Sequence, residues 1–139
     1  MQSTRMVRRS YMKSPQRQGE FVSEAVFHIT SRNAWLEAQK NGAYAADSLA
    51  GQGFIHCSKA DQVLHTATIY YSSQHGLVLL VIDPALLTPE LRWEPGTDLP
   101  EQLFPHIYGP INLPAVVDVL AFEPGPDGLF VLPDLGPRP

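Results

Sequence analysis

The sequence predicts an α+β domain, on three observations. Apolar, β-branched runs alternate with amphipathic runs through residues 26–83. "LVLLVID" at 77–83 is unbroken apolar sequence, as expected of a buried central strand. Twelve of the thirteen prolines lie at position 84 or beyond, which disfavours long helices there. The expected order is strand, helix, strand, helix, strand, loops and a closing hairpin, with the helices near the N-terminal half.

Each element has a local reason. "VFHI" (26–29) reads as the first strand. Thr30 and Ser31 follow as helix N-cap candidates, because their hydroxyl oxygens accept from orphan backbone N–H groups. "RNAWLEAQKN" (32–41) is the first helix, with Trp35 and Ala38 on its buried side and Gly42 as a left-handed C-cap. "AYAADSLAGQG" (43–53) reads as a loop into the strand "FIHC" (54–57). Ser58 is the N-cap candidate of a second helix, with Asp61 in its first turn. That helix runs through "ADQVLHTATIYYSS" (60–73), and Val63, Leu64, Ala67, Tyr70 and Tyr71 form its apolar side before Gly76 ends it. Beyond Pro84, "VVDVLAFE" (116–123) and "LFVLP" (129–133) read as a hairpin around "PGPDG".

The chain has 139 residues, enough for one domain. The expected division is a flexible basic extension (1–22), one α+β domain (23–135) and a short tail (136–139). Residues 1–20 carry five of the 10 basic residues and one of the 14 acids, leaving 5 basic against 13 acidic in the rest. An acidic body argues against a nucleic-acid partner, since phosphate binding needs clustered Lys and Arg. The basic stretch lacks the apolar core of a secretory signal; it reads as an extension or an overlong start, with Met6 and Met12 as later starts. No apolar run approaches the ~18 residues of a membrane span. A single cysteine, Cys57, excludes an internal disulfide and fits a reducing, cytoplasmic setting.

Five histidines carry most of the functional signal. His65 lies one turn after Asp61 and reads as a surface ion pair; His75 precedes Gly76 near a helix end. His28 and His56 share a context, "FHITS" and "IHCSK": each follows an apolar strand residue and precedes a hydroxyl residue and a helix. On a strand, His56 and Cys57 point to opposite faces, so the adjacent pair does not chelate one metal. Phe54 lies on the His56 face and Ile55 on the Cys57 face. His106 lies in "LFPHIYGPINLP", read as a rigid loop braced by Pro105, Gly109 and Pro110. Cys57 reads as a structural thiol and Ser58 as a cap, since no nucleophile motif surrounds either.

"FHIT", "GFIHCS" and "FPHIYGPI", in this order, resemble the bacterial family known as domain of unknown function nine hundred and fifty-two. The resemblance covers residues 24–133. It implies a fold of ADP-ribosyltransferase type, an α+β split β-sheet around a cleft for a nicotinamide dinucleotide. A more distant similarity is to NAD-dependent RNA 2′-phosphotransferases, which carry "YHGT", then "VHLS", then a helix, then an apolar strand ending in Asp. On that match His28 and His56 take the two histidine positions, and Ile107 or Tyr108 falls near the third.

The resemblance implies that the cleft binds NAD or an ADP-ribose derivative. His28 would orient a ribose or the carboxamide, and His56 the second ribose or the reacting centre, as the catalytic pair. Thr30 and Ser58 would stand beside them. Tyr44, Phe54 and Tyr108 would offer aromatic faces, and His106, Ile107 and Tyr108 would close the pocket. Ile29 departs from the glycine of the related motif and is expected to narrow a nicotinamide pocket. Few arginines are available to grip an RNA phosphate, and Glu94 and Glu101 read as solvated loop acids. Two other readings stay open: a non-catalytic module for a small ligand or protein segment, and a metal site built from His28, His56 and His106. The latter needs three nitrogens at ~2.0–2.1 Å from one ion, and no carboxylate spacing supports it.

Overall fold

The computed structural model describes residues 24–135. The basic extension (1–22) and the tail (136–139) lie outside the described residues. In chain order the elements are β1 (Val26–Ser31), α1 (Arg32–Asn41), β2 (Ala43–Tyr44), α2 (Asp47–Gln52), β3 (Ile55–His56), α3 (Val63–Tyr70), β4 (Leu77–Ile82), β5 (Glu90–Pro95), β6 (Leu103–Tyr108), β7 (Ile111–Asn112) and β8 (Val116–Ala121). One antiparallel sheet has the order β1-β4-β8 and a second β3-β6-β5; β2 and β7 form a separate pair. The α+β expectation is met.

β4 is buried along its whole length, as its unbroken apolar sequence requires of a central strand covered on both faces. Side chains alternate across it. Val78, Leu80 and Ile82 join Val26, Ile55, Cys57 and Ile107 in a core between the two sheets. Leu77, Leu79 and Val81 join Phe27, Ile29, Val63, Ala67 and Phe122 in a second core beneath α3. Tyr44 and α1, through Ala38 and Trp35, close the first core.

Local signals hold where caps decide. Ser31 Oγ accepts from Ala34 N–H at 3.0 Å. Gly42, at φ 89°, returns its N–H to the Ala38 carbonyl. Ser58, however, does not cap the second helix. Its main chain pairs with Phe27, and its hydroxyl lies 3.3 Å from Thr66 Oγ1. The helix opens instead through a 3₁₀ turn at Ala60–Gln62, where Gln62 Oε1 accepts from Lys59 N–H at 3.0 Å. α3 proper is eight residues long, so only Val63 and Ala67 are buried by it; Leu64 and Tyr70 are 38% and 51% exposed.

Three segments differ from expectation. Residues 43–53 hold β2 and α2 rather than a plain loop. The proline-rich stretch 84–115 contains β5, β6 and β7. The "FPHIY" motif is therefore the middle strand of the second sheet, not a braced loop. Pro105 fits there because its carbonyl, which a proline keeps, accepts from Cys57 N–H at 3.0 Å. Residues 129–133 do not pair as a strand. Gly125 N–H to Leu129 O (2.8 Å) closes a turn, after which Phe130 stacks on Phe122 at 4.7 Å and Leu132 covers the α3-side core. Burying those side chains displaces the hairpin.

Ile107 is fully buried in the core between the sheets, so Ile107→Ala is expected to cost about 2–5 kcal/mol of unfolding free energy, read by urea denaturation.

Candidate functional site

The two sheets meet at one seam. Phe27 N–H donates to Ser58 O and Ser58 N–H to Phe27 O, each at 2.8 Å. One residue earlier, Cys57 is bonded to Pro105 of β6. Within three residues, therefore, the chain passes from the second sheet to the edge of the first. The shared "FHIT" and "IHCS" contexts lie face to face at this crossing.

His28 locks the seam from inside. Its Nδ1 lies 2.6 Å from the His56 carbonyl oxygen, which only accepts, so Nδ1 carries the proton. Burial holds the ring neutral, lowering its pKa to about 4 against a smaller opposing effect of the His56 carbonyl. Nε2 is then an acceptor, and Tyr44 Oη at 2.8 Å must donate to it. The Tyr44 hydroxyl has one proton, so Thr30 Oγ1, 2.9 Å away, donates to Tyr44. The relay Thr30 to Tyr44 to His28 to His56 C=O satisfies every buried hydrogen-bonding group along it. Burial also raises the Tyr44 pKa to about 12, keeping the phenol a donor.

His56 and His106 face each other across β3 and β6, in direct register, with ring centroids 5.4 Å apart. Gln52 Oε1 accepts from His56 Nε2–H at 2.7 Å. Partial desolvation, and then the His106 imidazole, lower the His56 pKa. In the neutral ring Nδ1 is an acceptor with no donor among the described residues. His106 donates from Nδ1 to Glu94 Oε1 at 2.8 Å, and Tyr108 Oη donates to the same oxygen at 2.6 Å. These two bonds, Tyr108 first, hold the Glu94 carboxyl below its ordinary pKa. His106 Nε2 has no hydrogen-bond partner among the described residues. Phe54 stacks on His106 at 4.2 Å. Glu94 is thus not a solvated loop acid but a β5 side chain that orients His106.

A cavity of about 420 Å³ opens at the seam. Of the predicted residues, His28, His56, Ser58 and His106 line it. Thr30, Tyr44, Phe54, Ile107 and Tyr108 do not. Thr30 and Tyr44 serve the relay behind His28, Ile107 points into the core, and Phe54 and Tyr108 flank His106. The imidazole that faces His56 is His106, while His28 holds the His56 main chain. Both His28 nitrogens are engaged, so the three imidazoles do not converge. No cluster of three or more His, Cys, Asp or Glu side chains among the described residues could hold a metal ion.

Ile29 also lines the cavity, but its side chain is packed in the α3-side core. Phe27 turns both main-chain groups toward Ser58, so by the two-residue repeat Ile29 turns its own to the same open edge. There the Tyr71 hydroxyl reaches the Ile29 carbonyl at 3.4 Å, and no described residue supplies a partner for the N–H.

Sequence reasoning missed Tyr70, Tyr71, Asp98 and Phe104, which also line the cavity. The Tyr70-Tyr71 pair reads as helix core, although Tyr70 is largely exposed. Asp98 has no local signal: it is joined to α3 only in space, by His65 Nε2 at 2.6 Å and Tyr70 Oη at 3.4 Å. His65 therefore pairs with Asp98 rather than Asp61. His75 pairs with Glu123 at 3.1 Å.

The relay has a pH signature. An unfolded chain protonates His28 near 6.5, the folded chain near 4. Above pH 6.5 neither state takes the proton and the full stability is present; as pH falls from 6.5 toward 4, about 3 kcal/mol is lost. Nitrogen NMR of the imidazoles is expected to show His28 as the neutral Nδ1–H tautomer at pH 6; an imidazolium there contradicts the relay. Tyr44→Phe, which orphans Nε2 and the Thr30 hydroxyl, is expected to cost about 1–3 kcal/mol in urea unfolding.

No curated protein matches the chain. The crystal structure of CC0527 from Caulobacter crescentus is similar, with a TM-score of 0.70 at 29% identity, covering 78% of this chain and 94% of that one. The solution NMR structure of CC0527 gives 0.65 at 29% identity, covering 76% and 90%. Residues 29–119, which hold His56, Asp98 and His106, match the family described as Protein of unknown function (DUF952), and the chain belongs to that family.

Proposed function

We propose that the seam cavity binds the nicotinamide–ribose part of NAD or of an ADP-ribose derivative, on a split sheet of ADP-ribosyltransferase type. The observation that carries this reading is the pairing of an open strand edge with two imidazole nitrogens, unpartnered among the described residues, in one cavity. A primary carboxamide needs one acceptor and one donor side by side, which the Ile29 C=O and N–H offer. Vicinal ribose hydroxyls are donors, and His56 Nδ1 and, in a neutral ring, His106 Nε2 are acceptors. The cavity volume falls in the range of small-molecule sites, ~300–1,000 Å³. The β-branched Ile29 is compatible with the reading because its side chain is turned into the core.

No helix among the described residues is long and apolar enough to cross a membrane. The buried, unpaired thiol of Cys57 fits a cytoplasmic setting.

Binding without turnover is the second reading. It is favoured by the engagement of both nearby carboxylates: Glu94 is held by His106 and Tyr108, and Asp98 by His65 and Tyr70. Release of free nicotinamide from NAD on incubation with the protein would mark transfer or hydrolysis. Binding with no release marks a module.

Calorimetry with nicotinamide, NAD and ADP-ribose is expected to show binding of at least one at millimolar concentration or below, and silence from all three removes the proposal. His56→Ala is expected to weaken that binding about tenfold while leaving the melting temperature nearly unchanged, because the side chain is exposed. A fall in melting temperature with unchanged affinity would make His56 structural.

A further inference from the structure

The wall of the cavity has an unusual charge pattern for a nucleotide site. None of its lining residues is Lys or Arg. The described residues hold four such cations. Lys40 is with Glu37, Lys59 with Asp61, and Arg92 is bonded to Glu90 and lies 4.3 Å over the Tyr108 ring. Arg32 opens α1, outside the lining. Phosphate recognition rests on Arg forks or Lys point charges, and none among the described residues lines this cavity.

The cavity instead has one carboxylate and several aromatic faces. Asp98 is its single acidic lining residue, fixed by His65 and Tyr70. Those bonds, His65 first, hold its carboxyl below the ordinary range, so it is an anion at neutral pH. Phe27, Tyr70, Tyr71 and Phe104 line the same cavity, and of these Tyr70 reaches Asp98 directly. An anchored anion among aromatic rings attracts an organic cation and repels a phosphate.

We infer that the cavity selects a phosphate-free cationic nucleoside, an N-ribosylpyridinium carrying a carboxamide, over its phosphorylated forms. The inference rests on the carboxamide–ribose reading above and gives its ligand class. The pyridinium charge is set against Asp98 and the aromatic faces, and the ribose 5′ position is left without a phosphate grip.

The test is calorimetry on the full chain with nicotinamide riboside, its 5′-monophosphate, NAD and the uncharged dihydro form of the riboside. The riboside is expected to bind about tenfold more tightly than the monophosphate or NAD, and about tenfold more tightly than its dihydro form. Asp98→Asn is expected to remove the preference for the charged riboside over its dihydro form. Equal or tighter binding of NAD or the monophosphate overturns the inference and leaves the carboxamide–ribose reading standing. Equal binding of the charged and dihydro ribosides on the unmodified protein overturns the role of charge, whether or not Asp98→Asn folds. If none of the four ligands binds and nicotinamide is silent too, both the inference and the reading fall.

Discussion

The pair of main-chain hydrogen bonds between Phe27 and Ser58 is the constraint on which the rest of the molecule depends. It is the one place where the edge of the β1-β4-β8 sheet is paired to the chain that leaves β3. Without it, the core between the sheets would have no closed side, and Ile55 and Cys57 would lose their position against Val26 and Leu80. The bridge is also a single pair long. Ser58 immediately gives way to the turn into α3, so β1 continues past the bridge with an unpaired edge. The opening beside Ile29 is thus a geometric consequence of the way the sheets are joined.

A polar relay inside a core is costly unless every member is satisfied. Here that condition gives the relay a second use, as a register mark. Tyr44 lies on β2, Thr30 and His28 on β1, and the His56 carbonyl on β3, so three strands must align before the four groups can pair. An apolar core residue at position 28 would tolerate a sliding seam; an imidazole with two fixed partners does not. The outer pair follows the same logic. Glu94 and Gln52 each accept a hydrogen bond from one imidazole nitrogen, which orients the His106 and His56 rings.

What was legible in the sequence was what local chemistry decides. Ser31, Gly42 and the apolar run of β4 act on their own neighbours, and each behaves as its type demands. The opposite faces of His56 and Cys57 follow from strand geometry alone. The second sheet was not legible, because β5 ends on Pro95 and β6 carries Pro105 in its interior, and prolines normally disqualify a strand. Pro105 is tolerated because β3 ends opposite it, so its missing N–H forfeits one bond at the end of a short ladder. Long-range pairing likewise hid the partners of the histidines. Nothing near His65 names Asp98, 33 residues away, and nothing near His106 names Glu94 until both are placed on adjacent strands. The family resemblance singled out His28 and His56 as a pair but could not assign which of their atoms faces the cavity and which holds the backbone.

Cys57 sits at the crossing as the chain's single thiol, buried between the sheets, with desolvation pushing its pKa well up. In the folded molecule it is therefore a poor nucleophile, almost fully covered although the residue borders the seam cavity. Parting of the Phe27–Ser58 bridge, at the next residue, would uncover it further. The rate at which a thiol reagent modifies the native protein then reports how often this part of the core opens, with no introduced label and no competing cysteine to correct for.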